Sequence, residues 1–215
     1  MNTIGQEKLT EDECYARLRE LIINGTYLPN QHLIENDLAS AFHVNRVSIR
    51  TALARLEHEG LVERERYRGA RVRLVTQEEA VEILETRVAL EGMIARHAAN
   101  RATDEDISEL RQIVATMKKY YEGNDLLKYS ETNSALHKKI VKIAKHPTAS
   151  RLLEMLNSQN VRFQFRTILA PGRPERSFSE HSAIVEAIAN KDGEAAETAM
   201  RLHLSHVTDT LRQIT

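Results

Sequence analysis

The spacing of hydrophobic residues divides the chain into regions with different predicted structures. Up to about residue 60, apolar positions recur every three or four residues, which predicts three helices. They are expected at about 10–25, 34–42 and 46–60. From Leu61 to Val75 apolar and polar residues alternate, which predicts two strands joined by a turn at Tyr67-Arg68-Gly69. Three helices followed by a β-hairpin predict a winged helix-turn-helix.

Residues with helix-capping chemistry support these boundaries. Thr10 and Glu13 match a capping box at the start of the first helix, and a glycine follows both the first and the third helix. The second helix is expected to be capped by Glu35 or Asn36.

The remainder of the chain is predicted to be entirely helical. Its apolar stripes are interrupted by glycine, proline and asparagine, which leaves six helical segments. They are expected at about 77–100, 104–122, 125–145, 148–169, 176–190 and 193–213. Six helices of this length predict an antiparallel bundle. The fold class is therefore mainly α, with two domains at residues 1–75 and 76–215.

Composition narrows the class of protein. The 215 residues carry a net charge of −1, and 41% are hydrophobic and 28% charged, which is typical of a globular protein. No apolar run approaches the ~20 residues of a membrane span. The N-terminus is too polar and acidic for a secretory signal. Cys14 is the single cysteine, so we expect neither an intrachain disulfide nor a cysteine metal cluster. These features predict a cytoplasmic protein with no membrane partner.

Charge is distributed unevenly along the chain. The stretch from Val44 to Val75 contains eight arginines and four glutamates. In a winged helix-turn-helix, the start of the third helix would meet base edges in the major groove, and the hairpin would contact the DNA backbone or the minor groove. Arginine binds both phosphate and guanine through its planar fork. A solvated surface of Arg–Glu pairs is the alternative, but the helix-turn-helix context favours DNA.

Histidines occupy core positions in three of the predicted bundle helices. His137, His181 and His203 each lie on an apolar stripe, and Asn133 precedes His137 by one turn. Neutral imidazoles that converge inside a bundle suit a divalent transition metal, and without a thiolate we expect Zn, Ni or Mn. Three separate core histidines without a metal are the alternative.

Arg87 borders the apolar stripe of the first bundle helix, four residues before Glu91. The two side chains can form an ion pair on the rim of the helix. Arg87 can also be a half-buried guanidinium that binds the carboxylate of a ligand. The sequence leaves both interpretations open.

Two parts of the chain resemble a known family. The stretch from "LRELIINGTYLPNQHLIENDLA" to "GARVRLV" resembles the DNA-binding domain of the GntR family of bacterial regulators. The stretches "ILETRVALEGMIARHAA", "NSALHKKIV" and "SEHSAIVEAIANKDGEAAETAMRLHLSHV" resemble, less closely, the FCD effector domain that follows such DNA-binding domains. The six-helix count is similar to that of the VanR-type branch.

The resemblance implies roles for individual residues. The implied DNA contacts are Asn36, Asn45, Arg46, Ser48, Arg50, Arg68 and Gly69. The implied metal ligands are Asn133, His137, His181 and His203. Arg87 would hold the carboxylate of an effector. The family mostly has aspartate where this chain has Asn133, and the run from Asn45 to Thr51 also departs from the family pattern at base-reading positions.

The function implied is that of a ligand-responsive transcriptional regulator. Such a protein would be a homodimer that binds near-palindromic operator DNA, and we expect a repressor that a small organic acid releases. A metal-dependent hydrolase is an alternative, but no carboxylate is evident beside the three histidines to act as a general base. A constitutive DNA-binding protein with a purely structural bundle is the other alternative.

Overall fold

The computed structural model describes residues 9–65 and 69–214, without the side chains of residues 161, 162, 164 and 165. The chain forms two compact units, Met1–Val75 and Thr76–Thr215. Within the described residues, no helix is both long and apolar enough to cross a membrane.

The first unit is a winged helix-turn-helix, as predicted. Its elements are α1 (Glu11–Ile23), β1 (His32–Leu33), α2 (Glu35–Ala41), α3 (Arg46–His58), β2 (Val62–Glu65) and β3 (Gly69–Val72). The capping box of Thr10 and Glu13 is present at the start of α1. The predicted cap of α2 is wrong, because Ile34 precedes this helix and makes no side-chain cap. The carboxylate of Glu35 binds arginines instead.

The three strands form an antiparallel sheet in the order β1-β3-β2. Strand β1 lies between the first two helices, where the sequence analysis predicts no strand, and it pairs Leu33 with Ala70. Gly69 begins β3 with φ of +96°, and a Cβ at this position would lie 2.4 Å from the carbonyl oxygen of Leu33. Only glycine fits here, because both the backbone conformation and the close approach exclude a side chain. Tyr67 and Arg68 of the predicted turn lie outside the described residues.

The second unit is an all-α bundle of six described helices. These are α4 (Gln77–Arg101), α5 (Asp104–Glu122), α6 (Leu126–Ala144), α7 (Pro147–Ile168), α8 (Arg173–Ala189) and α9 (Gly193–Gln213). The largest deviation from the expected bounds is at α8, which begins three residues early. Gly172 takes a left-handed conformation and Pro174 occupies the first turn, where its missing N–H is not needed. This start places Arg173 in the helix.

The core of the bundle is mainly aliphatic and contains buried residues from all six described helices. Leu136 and Ile140 of α6 are buried together with Ile184 of α8 and Met200 of α9. The polar side chains described below are enclosed by this apolar packing.

Candidate functional site

The structure brings the three predicted histidines together inside the bundle. His137 comes from α6, His181 from α8 and His203 from α9, and all three are buried. One ring nitrogen from each lies within 4.8 Å of the others. The Nε2 atoms of His137 and His181 are 3.2 Å apart. Two nitrogens bound to one tetrahedral zinc ion are about 3.3 Å apart, so this spacing suits a shared ion.

The other ring nitrogen of each histidine has a polar partner. His137 Nδ1 lies 2.6 Å from Glu91 Oε2, and His203 Nδ1 lies 2.7 Å from Glu180 Oε2. The Ser177 hydroxyl lies 3.3 Å from His181 Nδ1. When Nδ1–H donates to a carboxylate, the proton is held there and Nε2 keeps its lone pair for a metal.

Each of the two glutamates is held by a buried arginine. Nε and Nη2 of Arg87 both lie 2.7 Å from Glu91 Oε1, and Arg173 Nη1 lies 2.8 Å from Glu180 Oε2. Arg87 is 6% exposed, Glu91 2% and Arg173 4%. Arg87 and Glu91 therefore do form a pair, but in the interior rather than on the rim. Glu180, Arg173 and the orienting role of Glu91 were not predicted from the sequence.

Charge contacts determine the ionisation of this cluster. Burial alone would raise the pKa of the Glu91 carboxyl, but the Arg87 guanidinium and His137 outweigh it and hold that pKa well below its ordinary value. Burial lowers the pKa of His181 and of His203, since a charged imidazolium is disfavoured in the interior. A neutral imidazole is the form that binds a metal.

His206 also contacts this cluster. Its Nδ1 lies 2.7 Å from Glu180 Oε1, the carboxylate oxygen that neither Arg173 nor His203 contacts. The sequence indicates only a bystander here, because His206 lies on the flank of α9 rather than on its apolar stripe, and the contact with Glu180 shows that this interpretation is wrong. Arg173 Nη2 approaches His203 Nδ1 at 3.4 Å, but the shorter contact with Glu180 requires that this nitrogen donates.

Asn133 points to the same interior. It is buried, and its Oδ1 accepts no hydrogen bond from the described residues; the same is true of Asn160. Both residues line a cavity of about 30 Å³ together with Arg87, His137 and His203. A buried carbonyl oxygen without a donor costs ~1–3 kcal/mol, and a cation removes that cost. The residues that could hold a metal are therefore Asn133 and the three histidines.

A larger cavity lies beside this one. Its volume is about 530 Å³, and it is lined by the ends of α7, α8 and α9. Arg173 lines both cavities, and Arg166 and Arg176 line the larger one. Both Arg166 and Arg176 are exposed, and neither forms an ion pair with a described residue. The larger cavity is therefore positively charged.

The predicted DNA-binding residues lie on α2, α3 and the wing. Arg46 and Arg50 of α3 are exposed and meet at one carboxylate oxygen of Glu35, at 3.3 and 2.7 Å. Arg64 of β2 lies 3.9 Å from the other oxygen. Burial would raise the pKa of Glu35, but Arg50 and Arg46 outweigh it and lower that pKa. Glu35 thus gathers arginines from two elements on one surface.

The other predicted contacts have different environments. Asn36 is exposed on α2. Asn45 precedes α3, and its Oδ1 accepts the backbone N–H of Ser48 at 2.9 Å. Ser48 is buried, so its side chain acts in this cap and has little accessible surface. Gly69 is partly exposed at the start of β3, and Arg68 lies outside the described residues.

Comparisons with known proteins match both units. Residues 10–72 match the family described as "Bacterial regulatory proteins, gntR family", and residues 82–206 match the FCD domain. The chain is 27% identical over 202 residues to the HTH-type transcriptional repressor RspR of Escherichia coli strain K12, covering 94% of this chain and 89% of RspR. It is 26% identical over 225 residues to the galactonate operon transcriptional repressor of the same strain, covering 95% of this chain and 97% of that repressor.

The fold is similar to that of solved structures as well. The E. coli protein McbR/YncC superimposes with a TM-score of 0.76 at 20% identity, covering 94% of this chain and 97% of that one. The GntR family consists of bacterial regulatory proteins, and the relatives are HTH-type transcriptional regulators rather than enzymes.

Proposed function

The chain belongs to the GntR family of bacterial regulatory proteins and carries an FCD domain, and from this premise we propose that it is a metal-dependent repressor which a small organic acid releases from operator DNA. The regulator class follows from the family. The finer proposal is carried by one observation: three buried histidines on three helices turn one nitrogen each to a common point.

A divalent metal fits the donors at that point. The Nε2 atoms of His137, His181 and His203 and the orphaned Oδ1 of Asn133 form a set of nitrogen and oxygen ligands, which suits Zn, Ni or Mn. When bound, the metal supplies a Lewis-acidic position for a carboxylate oxygen. Glu91 and Glu180 orient two of the imidazoles, which is the role of outer carboxylates at many histidine sites.

Arg87 is the proposed anchor for the effector's carboxylate. It lines the cavity that His137 and His203 line, and its Nε and Nη2 are bound to Glu91. A guanidinium has five N–H donors, so the donors that Glu91 does not use remain for a carboxylate.

DNA recognition is proposed for the first unit. Arg46 and Arg50 at the start of α3 would read base edges, with Asn36, Asn45 and Ser48 beside them, and Arg68 and Gly69 of the wing would contact the backbone. Family membership supports this assignment. Two copies of the chain, paired as a homodimer, would bind two half-sites of a near-palindromic operator.

Release by the acid requires that the effector binds one state of the dimer more tightly than the other. Repression, rather than activation, is supported by the relatives, since RspR and the galactonate operon regulator are both named repressors.

One combined experiment tests the proposal. Full-length protein purified without a histidine tag is analysed by elemental mass spectrometry, screened against small organic acids by thermal shift, and titrated onto a selected operator duplex. About one Zn, Ni or Mn per chain is expected, with an acid that raises the melting temperature and weakens operator binding. Metal-free protein whose operator affinity no acid changes would favour a constitutive DNA-binding protein.

A further inference from the structure

We propose that the effector is a dianionic organic acid, and that Asn133 sets this charge requirement because it leaves the charge of the metal uncompensated. The inference rests on the proposed metal site, and it names the chemical class of the acid that binds there.

The charges of the inner cavity cancel before a metal binds. Among the described residues that line it, Arg87 and Arg173 are the charged ones, and each is paired with a glutamate of the bundle interior. The four proposed ligands are an amide and three imidazoles, which bind a metal in their neutral forms. A divalent ion would therefore add two positive charges to a buried region that has no net charge of its own.

Uncompensated charge is costly in an interior from which water is largely excluded. The metal should therefore bind less tightly without an anion than with one. Without the metal, the charges of Arg87 and Arg173 are already balanced by Glu91 and Glu180, so the acid would meet no uncompensated positive charge in the inner cavity. Metal and acid should consequently bind cooperatively, and linkage requires that each raises the affinity of the other by the same factor.

The neighbouring cavity accounts for a second carboxylate. One carboxylate cancels half of the metal's charge, and the adjoining cavity carries Arg166 and Arg176, which form no ion pair with a described residue. The inner cavity of about 30 Å³ holds only an ion and a small ligand group. The outer cavity of about 530 Å³ has the size of a small-molecule site. An acid with carboxylates at both ends matches these two positive regions.

The test measures zinc affinity by competition with a chromophoric chelator, in the full-length chain, with and without acids. Malonate, succinate and glutarate are compared with propionate, butyrate and valerate, so that each pair has the same carbon chain and differs in one carboxylate. We expect at least one diacid to raise the zinc affinity by about tenfold, within the usual range of coupling. Each monoacid should raise it much less than its partner.

Asn133→Asp is the matched variant, because it adds one negative charge at the same position with almost no change of shape. We expect it to bind zinc more tightly without acid and to lose much of the advantage of diacids over monoacids. Asn100→Asp adds the same charge on the exposed surface of α4 and should behave like the unmodified chain. Circular dichroism of each variant establishes that it is folded.

The possible outcomes separate the two proposals. Zinc binding by both the unmodified chain and the Asn133→Asp variant, with no advantage of any diacid, would overturn the charge inference and leave the metal site standing. If neither protein binds zinc, the proposed metal site fails and the inference fails with it. A diacid advantage that is equal in the two proteins would show that Asn133 does not set the charge requirement.

Discussion

The DNA-binding face and the interior of the bundle use the same contact, a glutamate that holds arginines, in opposite surroundings. Glu35 binds Arg46 and Arg50, whose side chains are 54% and 53% exposed. Glu91 and Glu180 bind Arg87 and Arg173, which are almost completely buried. An exposed pair contributes about 0–1 kcal/mol and exchanges its partner readily, whereas removing one member of a buried pair costs ~3–5 kcal/mol.

Because they differ in exposure, the glutamate–arginine pairs of the two regions suit different functions. On the surface, the arginines can leave Glu35 when phosphates or bases become available. In the interior, the pairs are fixed, and each glutamate keeps an oxygen contact with a histidine. The first arrangement suits a face that must bind and release DNA. The second suits a site whose ligands must be held in position before the metal arrives.

The largest effect is expected from removing two of the proposed ligands. The double variant His181→Ala with His203→Ala should lose metal retention, because one imidazole and one amide oxygen cannot hold a divalent ion against dialysis. Elemental analysis after dialysis measures this. His58→Ala with His97→Ala removes two histidines outside the site and serves as the control. Metal content unchanged in the first double variant would place the ion elsewhere.

The next largest effect should come from the orienting carboxylate. Glu180→Gln leaves Arg173 without its ion-pair partner and replaces the carboxylate acceptor of His203 Nδ1–H with a neutral amide, so zinc affinity should fall by ~10–100-fold. Stability should fall by ~3–5 kcal/mol in urea unfolding, since a buried guanidinium loses its counter-charge.

Glu186→Gln provides the matched control on the same helix. Its carboxylate pairs with Arg111 on an exposed surface, so the variant should lose less than ~1 kcal/mol and keep its zinc affinity. If Glu180→Gln loses stability but keeps full zinc affinity, Glu180 has only a structural role and does not position His203.

A smaller effect, on DNA affinity, is expected from substitutions on the DNA-binding face, and it should depend on the DNA sequence. Arg46→Ala or Arg50→Ala should lower operator affinity by ~1–3 kcal/mol if these side chains read bases. Arg71→Ala on the wing should weaken operator and random DNA alike and reduce the dependence on salt. Fluorescence anisotropy with both duplexes at several salt concentrations measures this. Equal losses on both duplexes from all three variants would contradict base reading by α3.

The sequence was sufficient to predict the helices and to single out the three core histidines whose convergence the structure shows. Amphipathic helices of this length have a clear period, and His137, His181 and His203 stand on apolar stripes where polar residues are unexpected. Strand β1 has only two residues and hence no period. Glu180 is a polar residue on the flank of its helix, a pattern shared with surface glutamates, so its burial becomes apparent only from the packing of α8 against α9.

The contacts of Arg173 and Glu35 were also not predicted, because they depend on structure that local sequence patterns do not show. The predicted start of α8 lay after Arg173, because Pro171-Gly172 and Pro174 indicate a loop, and the left-handed Gly172 that lets the helix begin early is not visible in the sequence. The sequence predicts Glu35 as a possible helix cap, but its partners come from α3 and β2, which no local pattern can identify.

The smallest effect is expected from Glu35→Gln. The variant should change stability by less than ~1 kcal/mol, because the pairs that it breaks involve exposed arginines. Its affinity for random DNA should rise, since a negative charge is removed from the surface that meets phosphates. The ratio of operator to random binding should fall, because Arg46 and Arg50 are no longer held together before binding.

Glu57→Gln removes an exposed glutamate from the same helix as these arginines and is the control for net charge alone. If the two variants raise random binding equally and leave the operator ratio unchanged, Glu35 contributes only its charge. If only Glu35→Gln lowers the ratio, Glu35 positions arginines for base reading as the interior glutamates position imidazoles for a metal. The two regions would then differ in how firmly they hold their partners, and not in what the carboxylates do.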